Sequence, residues 1–306
     1  MTLGAGATAS VGTPSGARVW LLAARPATLP AAIVPVLVGT ASAWHGTHVV
    51  HERTLVLTLL TALLIQIGTN FANDVYDFRR GADTADRLGP LRVTQGGLVT
   101  QQQVLVATLL TFGLALLIGL YLATIGGWPI LVIGVVCLLA GVLYTGGPWP
   151  FGYHGLGDVV CFVCFGVLAV LGTAYLQALR LAALDLWATI PVGCLVTAIL
   201  IVNNLRDIDT DRRVGKLTLA VRLGRRGTRL EYALCVVVAY AVVVGLGLAG
   251  MVGAWWWLPL LSLPLALWLV RFVSRTEGRP LNQALKRTGQ LHLLFGLLFA
   301  AALSLG

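Results

Sequence analysis

Asn73-Asp74-Val75-Tyr76-Asp77 and the run Asn203-Asn204-Leu205-Arg206-Asp207-Ile208-Asp209-Thr210-Asp211 are two acidic stretches in a strongly apolar chain. Each closes a long apolar segment, and together with Asp83 and Asp86 they hold seven of the twelve acidic residues. Carboxylates at the edge of an apolar helix bundle are costly to desolvate, so they indicate a functional site. Two facing carboxylate clusters can hold Mg²⁺, and Mg²⁺ can in turn hold a diphosphate.

The composition predicts an all-α polytopic membrane protein. The 306 residues are 58% hydrophobic and 11% charged, whereas a soluble domain carries roughly 25% charged residues. Nine apolar segments approach the ~20 residues that a bilayer crossing needs. We therefore expect a bundle of nine transmembrane helices with polar capping loops at 78–101 and 206–229. The predicted spans are 19–45, 54–78, 102–124, 128–146, 156–179, 185–205, 230–250, 254–273 and 288–305.

Residues 1–17 have neither the basic start nor the apolar core of a signal peptide, which predicts a disordered tail. Residues 18–306 are then a single nine-helix transmembrane domain.

The net charge of +9 is distributed unevenly along the chain. When the nine predicted spans alternate across a membrane, one side keeps only Arg53 and Arg180 among its basic residues. The other side holds Arg18, Arg25, Arg79, Arg80, Arg87, Arg92, the run from Arg206 to Arg229, Arg271, Arg275, Arg279, Lys286 and Arg287. Because basic loops stay in the cytoplasm, this asymmetry predicts a cytoplasmic N-terminus, an outer C-terminus and both acidic clusters on the cytoplasmic face. Topology thus explains the basic charge and argues against a nucleic-acid binder.

The two acidic clusters form a weak internal repeat. Asn73 and Asp77 lie 130 residues before Asn203 and Asp207, and four predicted helices separate the two copies. The loops that follow also match, since Leu91-Arg92-Val93-Thr94 follows the first cluster and Gly215-Lys216-Leu217-Thr218 follows the second. Membrane proteins built from such repeats often place their site between the repeats.

Helical spacing places the polar residues of each cluster on one face. Gln66, Asn70, Asn73 and Asp77 are separated by four, three and four residues, which is one face of a helix. A polar stripe on a membrane helix must face the bundle or a water-filled cavity, because lipid cannot satisfy it. Asp74 lies about 100° around the helix from Asn73, so its direction is less certain.

The second cluster repeats this spacing with Asn203, Asp207 and Asp211. Asn-x-x-x-Asp supplies oxygen ligands one turn apart, which suits Mg²⁺. Basic side chains in the following loops, such as Arg92 and Lys216, can add direct contacts to phosphate. Lys216 also fits an ordinary cytoplasmic lysine, and Arg25 fits either a site residue or an interfacial arginine.

Several longer motifs accompany the clusters. They are Arg25-Pro26-x-Thr28-Leu29, Arg92-Val93-Thr94-Gln95-Gly96-Gly97, Tyr144-Thr145-Gly146-Gly147-Pro148, Tyr153-x-Gly155-Leu156-Gly157-Asp158 and Gly215-Lys216. With the two acidic motifs, they make nearly the whole chain after residue 18 resemble the UbiA superfamily of intramembrane aromatic prenyltransferases. In the first acidic motif Gly81 stands where most of the family has its last Asp, and Asp83 follows two residues later. This displaced form resembles the naphthoate (MenA-type) branch.

The resemblance implies a Mg²⁺-dependent transfer of a polyprenyl group from polyprenyl diphosphate to 1,4-dihydroxy-2-naphthoate, with loss of CO₂ and diphosphate, to give demethylmenaquinol in the cell membrane. The implied metal ligands are Asn73, Asp77, Asp83, Asn203, Asp207 and Asp211. The implied catalytic residues are Asp77, Asp207, Tyr144 and Lys216. The implied substrate-binding residues are Arg25, Asn70, Asn73, Arg92, Asn203 and Lys216. Some relatives have a lysine four residues after the tyrosine, where this chain has Pro148, so the diphosphate contact must come from elsewhere.

Two other functions fit parts of the pattern. The same chemistry could act on another acceptor, such as 4-hydroxybenzoate or a sugar phosphate, and only the displaced Asp83 and the loop motifs argue against this. A transporter could use the acidic clusters as ion sites, but both clusters lie at one membrane face, whereas coupling sites usually lie near the midplane. Mg²⁺-dependent release of diphosphate would separate an enzyme from a transporter.

Overall fold

A computed structural model describes residues 16–82, 88–90 and 92–306, and within these ranges the chain forms helices and no strand. The helices are α1 Gly16–Ala24, α2 Pro30–Thr47, α3 Glu52–Arg79, α4 Gln101–Gly126, α5 Trp128–Leu143, α6 Gly157–Cys161, α7 Ala169–Ala178, α8 Ala183–Arg213, α9 Leu219–Leu248, α10 Leu263–Arg275 and α11 Leu281–Leu305. A π-helical segment, Phe162–Leu168, joins α6 to α7 in one continuous span. Short 3₁₀ helices lie at Pro26–Thr28, Phe151–His154 and Leu258–Ser262.

The helices confirm an all-α multi-pass membrane protein, although the count of nine spans is not exactly confirmed. Seven described helical segments are long and apolar enough to cross a bilayer, and the bent pair α1–α2 makes an eighth. α5 is apolar but has only 16 residues, fewer than the ~20 that a crossing usually needs. Each predicted span nevertheless overlaps a helix, a helix pair or the α6–α7 segment.

The first span is broken between α1 and α2, which meet at an angle of 52°. Arg25 adopts a left-handed conformation with φ of 51°, which is uncommon for a residue with a side chain. Pro26 and Pro30 follow it, and a proline cannot donate a backbone hydrogen bond to a continuing helix. The break therefore exposes backbone groups that need partners from elsewhere in the bundle.

The polar stripe of α3 supplies those partners. The Asn70 amide donates to the Ala24 carbonyl at 3.0 Å and to the Thr28 hydroxyl at 3.1 Å. Gln66 donates to the same hydroxyl at 3.1 Å. Half of the predicted stripe is thus engaged in holding the broken first span, while Asn73 and Asp77 lie nearer the C-terminal end of α3.

α8 is the central helix of the bundle. Of its most apolar window, 78% is buried, against 22% to 50% in the other long spans. Leu195, Ala198, Val202 and Leu205 on α8 are all inaccessible to solvent or lipid. They belong to one apolar core shared with α2, α9, α10 and α11, so the second acidic cluster is carried by the most enclosed element of the fold.

The second capping loop is much shorter than predicted. α8 continues through the whole second cluster to Arg213, and α9 begins at Leu219, with a break at Gly224 where φ is 69°. The predicted loop at 206–229 is therefore wrong, and only residues 214–218 connect the two helices. The prediction failed because α8 buries Arg206, Asp207 and Asp211 within the bundle and continues as a helix, with Asp209, Arg212 and Arg213 exposed on its surface. Residues 16 and 17, assigned to the tail, belong to the first turn of α1.

α2 packs closely against α7 at Gly39 but has open space at Gly46, so alanine substitutions at these two glycines test the packing. A Cβ at Gly39 would lie 2.5 Å from the backbone oxygen of Val170, whereas a Cβ at Gly46 meets nothing within 4 Å. We expect Gly39→Ala to lower the thermal unfolding temperature in detergent, because overpacking costs about 1–3 kcal/mol. Gly46→Ala should leave it unchanged or raise it, since alanine favours a helix by about 1 kcal/mol. Equal unfolding temperatures for the two variants would contradict the close approach.

Candidate active site

A cavity of about 480 Å³ opens inside the bundle and has two chemically different ends. It extends along α3 from Thr58 to Asp77, about 28 Å at the rise of an α-helix. This is close to the ~30 Å thickness of a bilayer's hydrocarbon core. Eight of the predicted site residues line the cavity, and the apolar stretch away from them is lined by aliphatic and aromatic side chains. The eight are Arg25, Asn70, Asn73, Asp77, Arg92, Tyr144, Asn203 and Lys216. The apolar lining includes Ile65, Leu122, Ile130, Ile133, Phe165 and Leu176.

Asp77 is the centre of the first half-site. Its carboxylate is only 2% exposed, and it accepts a hydrogen bond from Arg92 Nη2 at 2.8 Å and one from the Tyr153 hydroxyl at 2.8 Å. One turn earlier on α3, Asn73 accepts from the Thr145 hydroxyl at 2.9 Å. The ordering of both oxygen-bearing side chains by neighbours is typical of a site prepared to bind a ligand.

Asp74 anchors the loop that carries Arg92. Its two carboxylate oxygens accept from the backbone N–H groups of Val93 and Thr94, at 3.2 Å and 3.0 Å. The loop then turns at Gly97, whose φ of 67° suits a residue without a side chain. The direction of Asp74, which the sequence left uncertain, is therefore toward this loop, and the aspartate fixes Arg92 over Asp77.

Arg206 organises the second half-site. Its guanidinium forms a two-point pair with the adjacent Asp207, through Nε to Oδ1 at 2.8 Å and Nη2 to Oδ2 at 2.5 Å. It also donates to the side-chain oxygens of Asn203 at 2.8 Å and Asn282 at 2.7 Å. The Arg206 side chain is 1% exposed. Asn203 faces the cavity, whereas Asp207 is tied to the arginine and is not among the described residues that line the cavity.

Lys216 reaches the cavity from the short loop after α8. Its ammonium lies 3.9 Å from Asp211 Oδ1, and its backbone N–H donates to the Asp211 carbonyl at 2.9 Å. Gly215, with φ of 73°, allows the reversal that brings Lys216 back toward the bundle. The lysine is thus held within the bundle, with its side chain 12% exposed, and does not extend away from the protein as an ordinary loop lysine would.

The loop after the first cluster packs against the second. The Leu88 carbonyl accepts from the Asn282 amide at 2.8 Å, and a Cβ at Gly89 would lie 2.8 Å from Arg206 Nη2. Asn282 in turn binds Arg206, so α11 and this loop enclose the arginine. The two acidic clusters consequently belong to one polar region at one end of the cavity.

The donor set of this region fits Mg²⁺. Mg²⁺ usually takes one or two protein carboxylates and completes its shell with water and substrate phosphates, so a full protein cage is not required. Asn73, Asp77 and Asn203 offer oxygens at the cavity wall. Within the part of the chain that the structure describes, no group of three or more His, Cys, Asp or Glu side chains could hold a metal. Asp83, a predicted ligand, lies outside the described residues.

Four contributors to the site were missed from the sequence: Arg206, Tyr153, Thr145 and Asn282. The charge asymmetry groups Arg206 with the other basic residues, but its position between Asn203 and Asp207 on a helical cluster is a usable signal. Tyr153 and Thr145 stood inside quoted motifs without a role. Asn282 carries no sequence signal, because it reaches the site only through the packing of α11.

Comparison with known proteins identifies one family over most of the chain. The UbiA prenyltransferase family matches residues 32–288. A 1,4-dihydroxy-2-naphthoate octaprenyltransferase of Mycobacterium tuberculosis is 42% identical, with 94% of this chain and 97% of that protein covered. An Escherichia coli protein with the same name is 40% identical, with coverage of 95% and 96%.

Solved structures support the fold. A UbiA homolog from Aeropyrum pernix superposes with a TM-score of 0.68 at 16% identity, covering 87% of this chain and 96% of that one. A UbiA homolog from Archaeoglobus fulgidus, bound to GPP and Mg²⁺, gives a TM-score of 0.63 at 17% identity, covering 94% and 100%.

The enclosed arginine gives a second test. We expect Arg206→Ala to destabilise the protein by about 3–5 kcal/mol, because it leaves the carboxylate of Asp207 buried without its partner. Arg225→Ala is the matched control, since Arg225 pairs at 2.6 Å with Asp209, whose side chain is 66% exposed. An exposed pair of this kind contributes about 0–1 kcal/mol. Thermal unfolding in detergent measures both variants, and a loss for Arg206→Ala no larger than that for Arg225→Ala would refute the structural role of Arg206.

Proposed function

This chain belongs to the UbiA prenyltransferase family, and we propose that it transfers a polyprenyl group from polyprenyl diphosphate to 1,4-dihydroxy-2-naphthoate. The products would be demethylmenaquinol, CO₂ and diphosphate, a step of menaquinone biosynthesis. The observation that carries the proposal is the divided cavity, with acidic, amide and basic side chains at one end and an apolar channel behind them. A prenyl diphosphate has the same division between a charged head and an apolar tail.

The acceptor is supported by the relatives. Proteins named 1,4-dihydroxy-2-naphthoate octaprenyltransferase are 34% to 42% identical to this chain and match at least 94% of its length. The loop motifs and the displaced Asp83 agree with this branch. A transporter is disfavoured, because both clusters surround one end of the cavity and the family is one of prenyltransferases.

The chain's own residues would hold the two substrates in register. Lys216, Arg92 and Arg25 line the polar end and would contact the diphosphate oxygens, which strongly favour cationic donors. Asn73, Asp77 and Asn203 line the cavity and would hold Mg²⁺ there. The resemblance also implies Asp83, Asp207 and Asp211 as ligands, but Asp207 is tied to Arg206, and neither Asp207 nor Asp211 is among the described residues that line the cavity. Bound Mg²⁺ would neutralise the negative charge that develops on the departing diphosphate.

Cleavage of the allylic C–O bond leaves its electron pair on diphosphate, and the ring then donates electrons to form the new C–C bond. The electrons of the bond to the carboxylate return to the ring as CO₂ leaves. Tyr144 lines the cavity beside the polar end and would contact the acceptor or the cation. The loop that Asp74 fixes over the site would exclude water, which would otherwise capture the carbocation.

The remaining predictions concern placement in the membrane. We propose that the protein lies in the cell membrane with its N-terminus and active site facing the cytoplasm and its C-terminus outside. Residues 18–306 are proposed to form a single domain, preceded by a tail. The asymmetric distribution of arginine supports this orientation.

The reaction can be tested with detergent-purified protein, Mg²⁺ and a labelled polyprenyl diphosphate. We expect a prenylated, decarboxylated naphthoquinol with 1,4-dihydroxy-2-naphthoate and no product once EDTA removes the metal. Product with 4-hydroxybenzoate alone would keep the metal site and overturn the acceptor. Undiminished product in EDTA would contradict the metal requirement.

Asp77 is the sharpest single-residue test of the first half-site. We expect Asp77→Ala to abolish turnover, because it removes the cavity-lining carboxylate that would bind the metal and that pairs with Arg92. Asp209→Ala should retain near-normal activity, since Asp209 is largely exposed and pairs with Arg225 on the surface. Rates measured at matched protein levels, after purification confirms insertion, decide the result. Retained activity in Asp77→Ala would exclude the proposed metal ligand.

A further inference from the structure

Tyr153 contacts both acidic half-sites at once. It lies in the 3₁₀ helix Phe151–His154, between α5 and α6. Its hydroxyl donates to Asp77 Oδ1 at 2.8 Å. Its ring is approached by two cations, Lys216 Nζ at 5.2 Å and the Arg80 guanidinium carbon at 5.5 Å from the centroid. Both distances fall in the range of cation–π attraction.

The backbone around Tyr153 fixes this position. The Tyr153 carbonyl accepts from the Leu217 N–H at 3.0 Å, which joins the tyrosine to the loop that carries Lys216. On its other side, Gly152 N–H donates to the Tyr144 carbonyl at 3.0 Å. A Cβ at Gly152 would lie 2.6 Å from that oxygen, so the segment can approach Tyr144 only with a glycine there. Tyr153 is therefore held by contacts to two separate parts of the site.

The position of Tyr153 bears on how diphosphate is bound in a chain that has Pro148 where some relatives have a lysine. The only described lysine that lines the cavity is Lys216, which belongs to the opposite half-site. A lysine side chain has a flexible stem of four carbons. Its ammonium binds phosphate as a point charge, so the surroundings must set the position of that charge. Its described neighbours are Asp211, at 3.9 Å, and the face of Tyr153. The aromatic ring can direct the ammonium toward the cavity and leave its charge intact, whereas a second close carboxylate would neutralise it.

We propose that Tyr153 is a positioning residue that couples the two half-sites: its hydroxyl orients Asp77 for the metal, and its ring orients Lys216 for the diphosphate. The proposal rests on the proposed function for the identity of these ligands. The hydroxyl and the ring of Tyr153 then have separate tasks. Tyr153→Phe removes the first task and keeps the ring, whereas Tyr153→Leu removes both.

The experiment compares these variants with Tyr240→Phe. Tyr240 is a matched control because its hydroxyl bonds Ser262 at 2.6 Å, within the core that α9 shares with α10 and α11. We expect Tyr153→Phe to raise the Mg²⁺ concentration for half-maximal activity about tenfold, the usual effect of losing a hydrogen bond to a metal-binding carboxylate. Its KM for polyprenyl diphosphate at saturating Mg²⁺ should stay at the wild-type value. Tyr153→Leu should show the same Mg²⁺ shift and also a several-fold higher KM.

A binding measurement makes the test independent of turnover. Thermal unfolding is followed while Mg²⁺ is titrated in the presence of inorganic diphosphate. We expect the stabilisation midpoint to move to higher Mg²⁺ in Tyr153→Phe and to stay at the wild-type value in Tyr240→Phe. A wild-type midpoint in Tyr153→Phe, or equal KM values for Tyr153→Phe and Tyr153→Leu, would overturn the coupling role. Failure of the wild-type protein to prenylate the naphthoate would instead overturn the proposed function, while the midpoints would still decide the role of the hydroxyl.

Discussion

Buried carboxylates at the end of an apolar bundle require positive partners, and two enclosed arginines supply them here. Arg92 pairs with Asp77, and Arg206 pairs through two hydrogen bonds with Asp207. A buried ion pair is stabilising only when its geometry is good and its remaining hydrogen bonds are made, because desolvation of both charges must be offset. Arg206 meets this condition through Asn203 and Asn282. The arrangement of the loops and of α11 around the site follows from this need.

The two half-sites have different tasks although their sequences match at an offset of 130 residues. α3 ends at Arg79, soon after Asp77, and the chain then returns to place Arg92 over the carboxylate. α8 continues past its cluster to Arg213 and presents Asn203 to the cavity, while Asp207 is tied to Arg206. The first half-site thus brings its carboxylate to the cavity, and the second brings an amide and Lys216. The arginines balance the charge of the carboxylates in the structure described. Binding of Mg²⁺ would add positive charge to this region, and binding of diphosphate would add negative charge.

Most of the fold followed from the sequence, because apolar length and helical spacing are local signals. The spacing of Gln66, Asn70, Asn73 and Asp77 predicted a single polar face, and all four line the cavity. The predicted loop at 206–213 was wrong, because α8 continues there with Arg206 and Asp207 paired inside the bundle and Asp209 exposed on its surface. Local composition does not report such pairing. The separate task of Gln66 and Asn70 at the broken first span was also hidden, since it depends on Ala24 and Thr28 lying beside α3 in space. Tyr153 and Asn282 escaped for the same reason, because each acts through a contact between distant segments. Arg206 is different, since its pairing with Asn203 and Asp207 is local and could have been found from their spacing.

The most direct test of this site is a structure of the protein with Mg²⁺ and an unreactive thiodiphosphate analogue of the prenyl donor. We expect metal and diphosphate density between Asn73 and Asp77 on α3 and Asn203 on α8, with Lys216 turned toward the phosphates. The tail should follow the apolar cavity toward Leu122, Ile130 and Leu176. A diphosphate bound to only one of the two clusters, or a tail outside this cavity, would contradict the account.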